Sequence, residues 1–430
     1  MVDRISRRRM IINTSLAGAG VWLSSAASVR ASTSPNEKLD IALVGAGGRG
    51  AANLAGVAGE NIVALCDVDG RRAAATYDRY PGVRKFHDFR KMLDEMDKQI
   101  DAVVVSTPNH IHAPASAMAM RMGKHCYCEK PLSHSVHEAR TIAHLAAEKK
   151  VATQMGTQIH ASSNYRRVVE LIQSGAIGPV REVHIRLAGG GAAGDRPRET
   201  PPVPAELKWD LWLGPAPVRP FHPCYVPHDW HYWWDFGGGA LGNMGCHYLD
   251  LAFWALDLRY PTTIETDGPA AHPESTPRPL TVRWEFPARN ELPPVTLTWD
   301  HGPKRTPFWE EHGLPDWAWG VFVGSKGMLL ANYPKHALWP ESRFADFKRP
   351  DPTLAESIGH HQEWIIACKT GSPTTCNFDY SGAVSEAVLL GNVAHRCGKR
   401  IDWDPETLKI PNAPEAEQFL LRDYREGWRL

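Results

Sequence analysis

The chain lacks an excess of either charge: 48 Lys and Arg stand against 48 Asp and Glu over 430 residues. Without a basic surplus the electrostatic footprint of a nucleic-acid binder is missing, and no nucleic-acid partner is expected. It also has no apolar run of about 18 residues or more, the length a spanning helix needs, so no membrane insertion is expected. Cysteine is sparse, eight in all, and no spacing among them matches a usual zinc pattern. His222, Cys224, His228, Asp229 and His231 gather metal-capable side chains in one segment. Their spacing fits no standard ligand set, and no metal is expected. Cys368, Cys376 and Cys397 lie close enough in sequence for one disulfide in an oxidising compartment, with connectivity left open. What is present is a composition 43% hydrophobic, that of a core-forming chain long enough for two or three domains.

Residues 1–31 read as a leader rather than as part of the fold. Arg7-Arg8-Arg9 precede a modest apolar stretch from Ile11 to Leu23, and small residues near Ala27 and Ala31 suit cleavage. Paired arginines before a weakly apolar segment fit twin-arginine export to the periplasm better than general secretion. That route carries folded proteins, which suits a tightly held cofactor.

Residues 36–156 read as a nucleotide-binding domain. Ile41-Ala42-Leu43-Val44 is an apolar strand, Gly45-Ala46-Gly47-Gly48-Arg49-Gly50 fits G-x-G-x-x-G, and a second strand, Ile62 to Cys66, ends on Asp67, seventeen residues after the last glycine. The glycines allow a tight turn, backbone approach to a pyrophosphate and close helix–strand packing. The following helix N-terminus offers unpaired N–H groups and a positive dipole end to the phosphates. Asp67 would accept hydrogen bonds from the adenosine ribose, favouring NAD, while Arg71 and Arg72 nearby leave NADP open. Helices over 71–79 and 89–96 alternate with an apolar strand, Ile100 to Ser106, that delivers Thr107-Pro108-Asn109 and His112 to the ligand-binding sheet edge. A further helix over 113–122 and the strand His125 to Cys128 bring Glu129-Lys130-Pro131 to the same edge. Ser135-x-x-Glu138 then makes a capping box for the next helix.

These motifs, with a later Gly237-Gly238-Gly239 and Gly245-Cys246-His247 segment, resemble the glucose–fructose oxidoreductase, inositol dehydrogenase and MocA family over nearly all of residues 36–430. The resemblance implies an α/β protein: a doubly wound parallel Rossmann sheet, then an α/β domain with a large open, mostly antiparallel sheet. It implies NAD(P)-dependent chemistry on sugars and cyclitols, and pairing of subunits through the second sheet. It marks Gly45, Gly47, Gly48, Arg49, Gly50, Asp67, Thr107, Pro108, Asn109, His112, Glu129 and Lys130 as cofactor-side residues. Where Asn243 stands the family commonly has aspartate, which orients the histidine and raises its basicity.

Residues 157–430 read as the substrate and oligomerisation domain. A helix from Ser163 to Ser174 leads into a strand, Val180 to Leu187. Leu280 to Phe286 and Val295 to Trp299 alternate apolar and polar with period two, the mark of an antiparallel sheet. Residues 188–236 and 262–278, rich in Gly and Pro, read as long loops. Fourteen of sixteen tryptophans lie between Trp209 and Trp403, and Trp230, Trp233 and Trp234 border the glycine run, where flat rings with a polar N–H suit a sugar. Asn243 and His247, four apart, share one helical face. Gln158, Asn243 and His247 join those tryptophans as substrate-side candidates, and Lys130 and His247 are the catalytic pair. His360-His361 begins a helix ending near Lys369.

The expected function is therefore an exported oxidoreductase moving hydride between a secondary hydroxyl of a sugar or glycoside and a tightly bound NAD(P). A glycosidase acting by transient oxidation at C3 and elimination is the variant within this class. A non-catalytic carbohydrate-binding protein is the rival outside it, motivated by Asn243.

Overall fold

The computed structural model describes residues 37–189 and 191–430. The expected leader lies outside them. Residues 39–430 form one compact unit.

Its first half alternates strand and helix: β1 (Asp40–Val44), α1 (Arg49–Val57), β2 (Asn61–Cys66), α2 (Gly70–Arg79), β3 (Arg84–Phe86), α3 (Phe89–Met96), β4 (Ala102–Val105), α4 (Asn109–Arg121), β5 (His125–Cys128), α5 (Val136–Lys149) and β6 (Thr153–Met155). The strands pair in the order β3-β2-β1-β4-β5-β6, every pair parallel. This is the doubly wound arrangement, and its ligand crevice opens where the order reverses, beside β1 and β4. β1 and β4 are covered on both faces and are almost wholly apolar, as buried parallel strands must be. Ser135 and Glu138 form the expected capping box at the start of α5.

Helix α4 begins at Asn109, four residues before the expected start. Pro114 lies inside it and offers no N–H to the carbonyl of His110 one turn back. The guanidinium of Arg422 takes that carbonyl instead, at 2.6 Å, so a distant side chain makes the early start tolerable.

The second half contains α6 (Ser163–Gln173), β7 (Val180–Leu187), α7 (Trp209–Leu213), α8 (Gly239–Leu256), β8 (Thr263–Asp267), β9 (Leu280–Phe286), β10 (Val295–His301), α9 (Pro307–Glu311), β11 (Gly320–Gly324), β12 (Gly327–Ala331), β13 (His336–Trp339), α10 (His360–Thr370), α11 (Phe378–Cys397) and β14 (Ile401–Asp402). Eight strands pair as β13-β12-β11-β7-β10-β9-β8-β14. Only β7 with β10 is parallel, so the sheet is mostly antiparallel. The loop expected over 262–278 contains β8, whose Thr263 to Asp267 pair with β9 before Gly268 and Pro269 end the strand.

One face of this sheet is dry. Trp284 and Trp299 are fully buried on it, above α8 and α11, while Thr281, Arg283 and Glu285 take the other face of β9. Helix α10 returns to the first sheet, where Trp364 joins Ile41, Leu43 and Tyr127 in one apolar cluster. The segment expected to serve only the second domain thus completes the first. All eight cysteines are free thiols, Cys368, Cys376 and Cys397 among them. No helix among the described residues is long and apolar enough to cross a membrane.

Candidate active site

A cavity of about 680 Å³ opens at the carboxyl ends of the parallel strands, within the range of small-molecule and cofactor sites. The glycine turn forms its floor. Gly45 has φ +87, and a Cβ there would lie 2.5 Å from the carbonyl oxygen of Ser106; a Cβ on Gly50 would lie 1.7 Å from that of Gly45. Only glycine allows β1, the turn and β4 to close this tightly. No side chain caps the start of α1; the Gly50 N–H goes to the Gly47 carbonyl at 3.0 Å, and the positive end of the helix faces the cavity floor.

Asp67 stands at the cavity wall and also braces the turn. Its Oδ2 accepts the N–H groups of Ala46 and Gly47, both at 2.9 Å, and its Oδ1 accepts that of Asp69, at 2.9 Å. Burial pushes its pKa up against the pull of these donors. Arg72 lines the same end, one guanidinium nitrogen 2.6 Å from where a Cβ of Gly48 would be. Arg71, by contrast, turns to Asp69 and Glu206. A glycine cradle and a helix N-terminus for phosphates, a carboxylate that can accept from ribose hydroxyls and an arginine, all on one wall, suit a dinucleotide.

At the other end the chemistry gathers around Glu129-Lys130. Burial alone would raise the pKa of Glu129, but Arg49, Lys130 and the Asn53 amide outweigh it and hold the carboxylate down to about 2. Arg49 meets it at 2.9 Å and Gln158 at 2.9 Å. The Lys130 ammonium donates to the carbonyl oxygen and to Oδ1 of Asn243, each at 2.7 Å. Burial lowers its pKa, opposed by Glu129. His247 reaches the cavity from α8, and its ring has no hydrogen-bond partner among the described residues. Burial, then the charge of Lys130, pushes it down to about 3, so the imidazole is neutral.

Of the residues singled out from sequence, Gly45, Gly47, Arg49, Asp67, Thr107, Pro108, Glu129, Lys130, Gln158, Trp230 and His247 line this cavity. Gly48 and Gly50 shape the turn beneath it. Several others stand behind the wall. Asn109 opens α4 and is buried. The His112 ring nitrogens lie 2.7 Å and 2.6 Å from the carbonyl oxygens of Thr107 and Pro131, pinning the two turns together rather than facing a ligand. Trp233 packs into a cluster with Trp212, Tyr225 and Phe236. Trp234 donates to the carbonyl of His272 at 2.9 Å and lies beneath Arg396. Both tryptophans are buried: the ring of Trp233 among aromatic residues of its own loop, that of Trp234 against the loop at His272 and the end of α11. Gln158 spends its amide on Tyr127 and Glu129.

Asn243, expected on the substrate side, does not line the cavity; its two oxygens hold Lys130 instead. The acid of α8, Asp250, points away to His160, with Nδ1 3.0 Å from both oxygens, and also takes the Tyr380 hydroxyl at 2.9 Å. Cys376 completes a buried trio with His160 and Asp250 whose donor atoms lie within 4.8 Å. Among the residues lining the cavity that were not foreseen, His231 and Tyr333 stand out. His231, considered only among metal-capable side chains, lines it with Nδ1 buried and unpartnered. Tyr333 enters from the turn between β12 and β13, where nothing in the local pattern points to a site.

Two successive profiles of one family match the chain: the NAD-binding Rossmann fold of the Gfo/Idh/MocA oxidoreductases over residues 39–157, and their C-terminal α/β domain over 161–287. The chain belongs to this family. An inositol 2-dehydrogenase of Salmonella typhimurium is 29% identical over 134 residues, 30% of this chain and 39% of that protein. A glycosyl hydrolase family 109 protein of Solibacter usitatus is 30% identical over 218 residues, 45% of this chain and 46% of that one. The matches thus span less than half of either relative. The solved WlbA dehydrogenase of Bordetella pertussis, in complex with NADH and UDP-GlcNAcA, superposes with TM-score 0.59 at 18% identity, covering 85% of this chain and 99% of that one, and shows the shared fold.

Proposed function

We propose that this protein is an exported NAD-dependent oxidoreductase acting on a secondary hydroxyl of a sugar or glycoside. The observation that carries the reading is the meeting of Lys130 and His247 with the glycine turn and Asp67 around one cavity. Gly45 to Gly50 and Asp67 would hold NAD, which when bound supplies the acceptor for hydride. Neutral His247 takes the hydroxyl proton. An ammonium has three donors; two of Lys130's go to Asn243, which leaves one for the substrate oxygen as negative charge develops there. The names of the Salmonella and Solibacter relatives, an inositol dehydrogenase and a glycosyl hydrolase, support a polyol or sugar as substrate.

Mixing the purified protein with candidate sugars and glycosides while following nicotinamide absorbance tests this directly. Sugars that bind without ever changing the cofactor's redox state would overturn it.

A second reading, oxidation at C3 followed by elimination of the aglycone, is favoured by the Solibacter relative. It requires aglycone release with no net accumulation of reduced cofactor. The arginines at Arg7 to Arg9 support twin-arginine export to the periplasm, where free NAD is scarce and a retained cofactor is needed. Replacing Arg8 and Arg9 with Lys should leave the full-length chain in the cytoplasm; unchanged export would refute this part. Pairing of two copies through the polar face of the second sheet completes the reading, and sedimentation would show it.

A further inference from the structure

Resting on the reading of the cavity as a dinucleotide site, we propose that Trp428 is an adenine-binding residue and that residues 422–430 are a strap retaining the cofactor. Asp67 marks the adenosine end, and beyond it the wall is made by His87, Asp88, Phe89 and Trp428. The Trp428 and Phe89 rings lie 5.9 Å apart, tilted by 54°. The Arg90 guanidinium sits 4.1 Å from the Trp428 ring centre and donates to the carbonyl of Gly427 at 2.9 Å. This indole is therefore fixed by charge, by aromatic contact and by its own backbone.

The strap is anchored at intervals. Arg422 pairs with Glu138 at 2.7 Å and satisfies the His110 carbonyl that Pro114 leaves open. Arg425 meets Asp210 at 2.6 Å and also the carbonyl of Gly214. Gly214, at φ +54, leaves room: a Cβ there would lie 2.1 Å from Ile111 and 3.7 Å from the Trp428 ring. A segment of irregular backbone is thus tied down at Arg422, Arg425 and Gly427, just before one indole that faces the cavity. Its chemistry fits a purine, whose flat face gains from stacking on indole whatever its substituents.

The test is binding, read by nicotinamide fluorescence of NADH and by calorimetry with its fragments. Trp428→Ala should raise the NADH Kd at least about tenfold and speed its dissociation to match, and Trp428→Phe should recover most of both. ADP-ribose should lose affinity with NADH, whereas nicotinamide mononucleotide should bind as it does to the parent. Equal affinity of parent and Trp428→Ala for NADH would overturn the proposal, as would equal loss for both fragments. Failure of the parent itself to bind NADH would overturn the dinucleotide reading and this one with it.

Discussion

The ammonium of Lys130 is held by two oxygens of one residue, the carbonyl and Oδ1 of Asn243, both at 2.7 Å. Both are neutral acceptors, so they fix the lysine without cancelling its charge. That charge remains for the substrate oxygen. Lys130→Met, similar in length but uncharged, should lower hydride transfer by about 10²-fold or more, the size of effect seen when one stabilising donor is removed. Calorimetry should still show sugar binding, and single-turnover absorbance would report the loss. Near-parental rates would remove Lys130 from the mechanism.

Asn243→Asp tests the same contact from the other side. A carboxylate there would pair with the ammonium, raise its pKa and compete with the substrate oxygen for it. The expected result is a fall in kcat of about tenfold, from the factor a 1.4 kcal/mol loss implies, with the alkaline limb of the pH profile moved upward. A faster enzyme would show instead that an acid at this position serves His247.

His247 sets the acidic limb. Its pKa is pushed down to about 3 by burial and by Lys130, so it stays neutral, and able to act as base, well below the range of an ordinary histidine. The rate of alcohol oxidation, as kcat/KM, should therefore not fall tenfold per pH unit below about 6.5, where an unperturbed imidazole protonates. A profile flat from pH 8 to pH 5 is expected, and His247→Ala should cost about 10²-fold across that range. A limb near 6.5 that vanishes in His247→Ala would mean that His247 is not desolvated when it works.

Much of this was legible because the nucleotide half is written in short-range pattern. Strand, glycine turn, helix and acid follow one another within Leu39 to Asp67, and each constraint is local. Lys130 was reachable for the same reason, since a strand end fixes its place. His247 needed only the period of a helix. The misses share another cause. Trp233 and Trp234 were read by composition, while their burial depends on residues far from them in sequence, Arg196 for one and His272 and Arg396 for the other, which no local period encodes. His112 was assigned to the wrong surface because the start of α4 depends on Arg422, over three hundred residues away. Trp428, too, owes its position to Arg90, Asp210 and Gly214, none of them near it in sequence.

The buried carboxylate of Glu129 ties this site to the stability of the fold. Its pKa falls from 4.5 to about 2 because Arg49 and Lys130 outweigh the cost of burial. A depressed carboxylate pKa stabilises the folded chain above the unfolded value, and that stabilisation is lost as pH falls through the folded value. The window is thus about pH 4.5 down to 2, and the shift corresponds to about 3 kcal/mol at neutral pH. Glu129→Gln should lower Tm clearly at pH 7, leaving Arg49 and Lys130 uncompensated. The gap between variant and parent should close as the pH approaches 2, where the parent's own carboxyl becomes neutral. Melting curves of both proteins across that range would check it. A gap of constant size would mean that the lost acceptor oxygen, rather than the charge, is what the site requires.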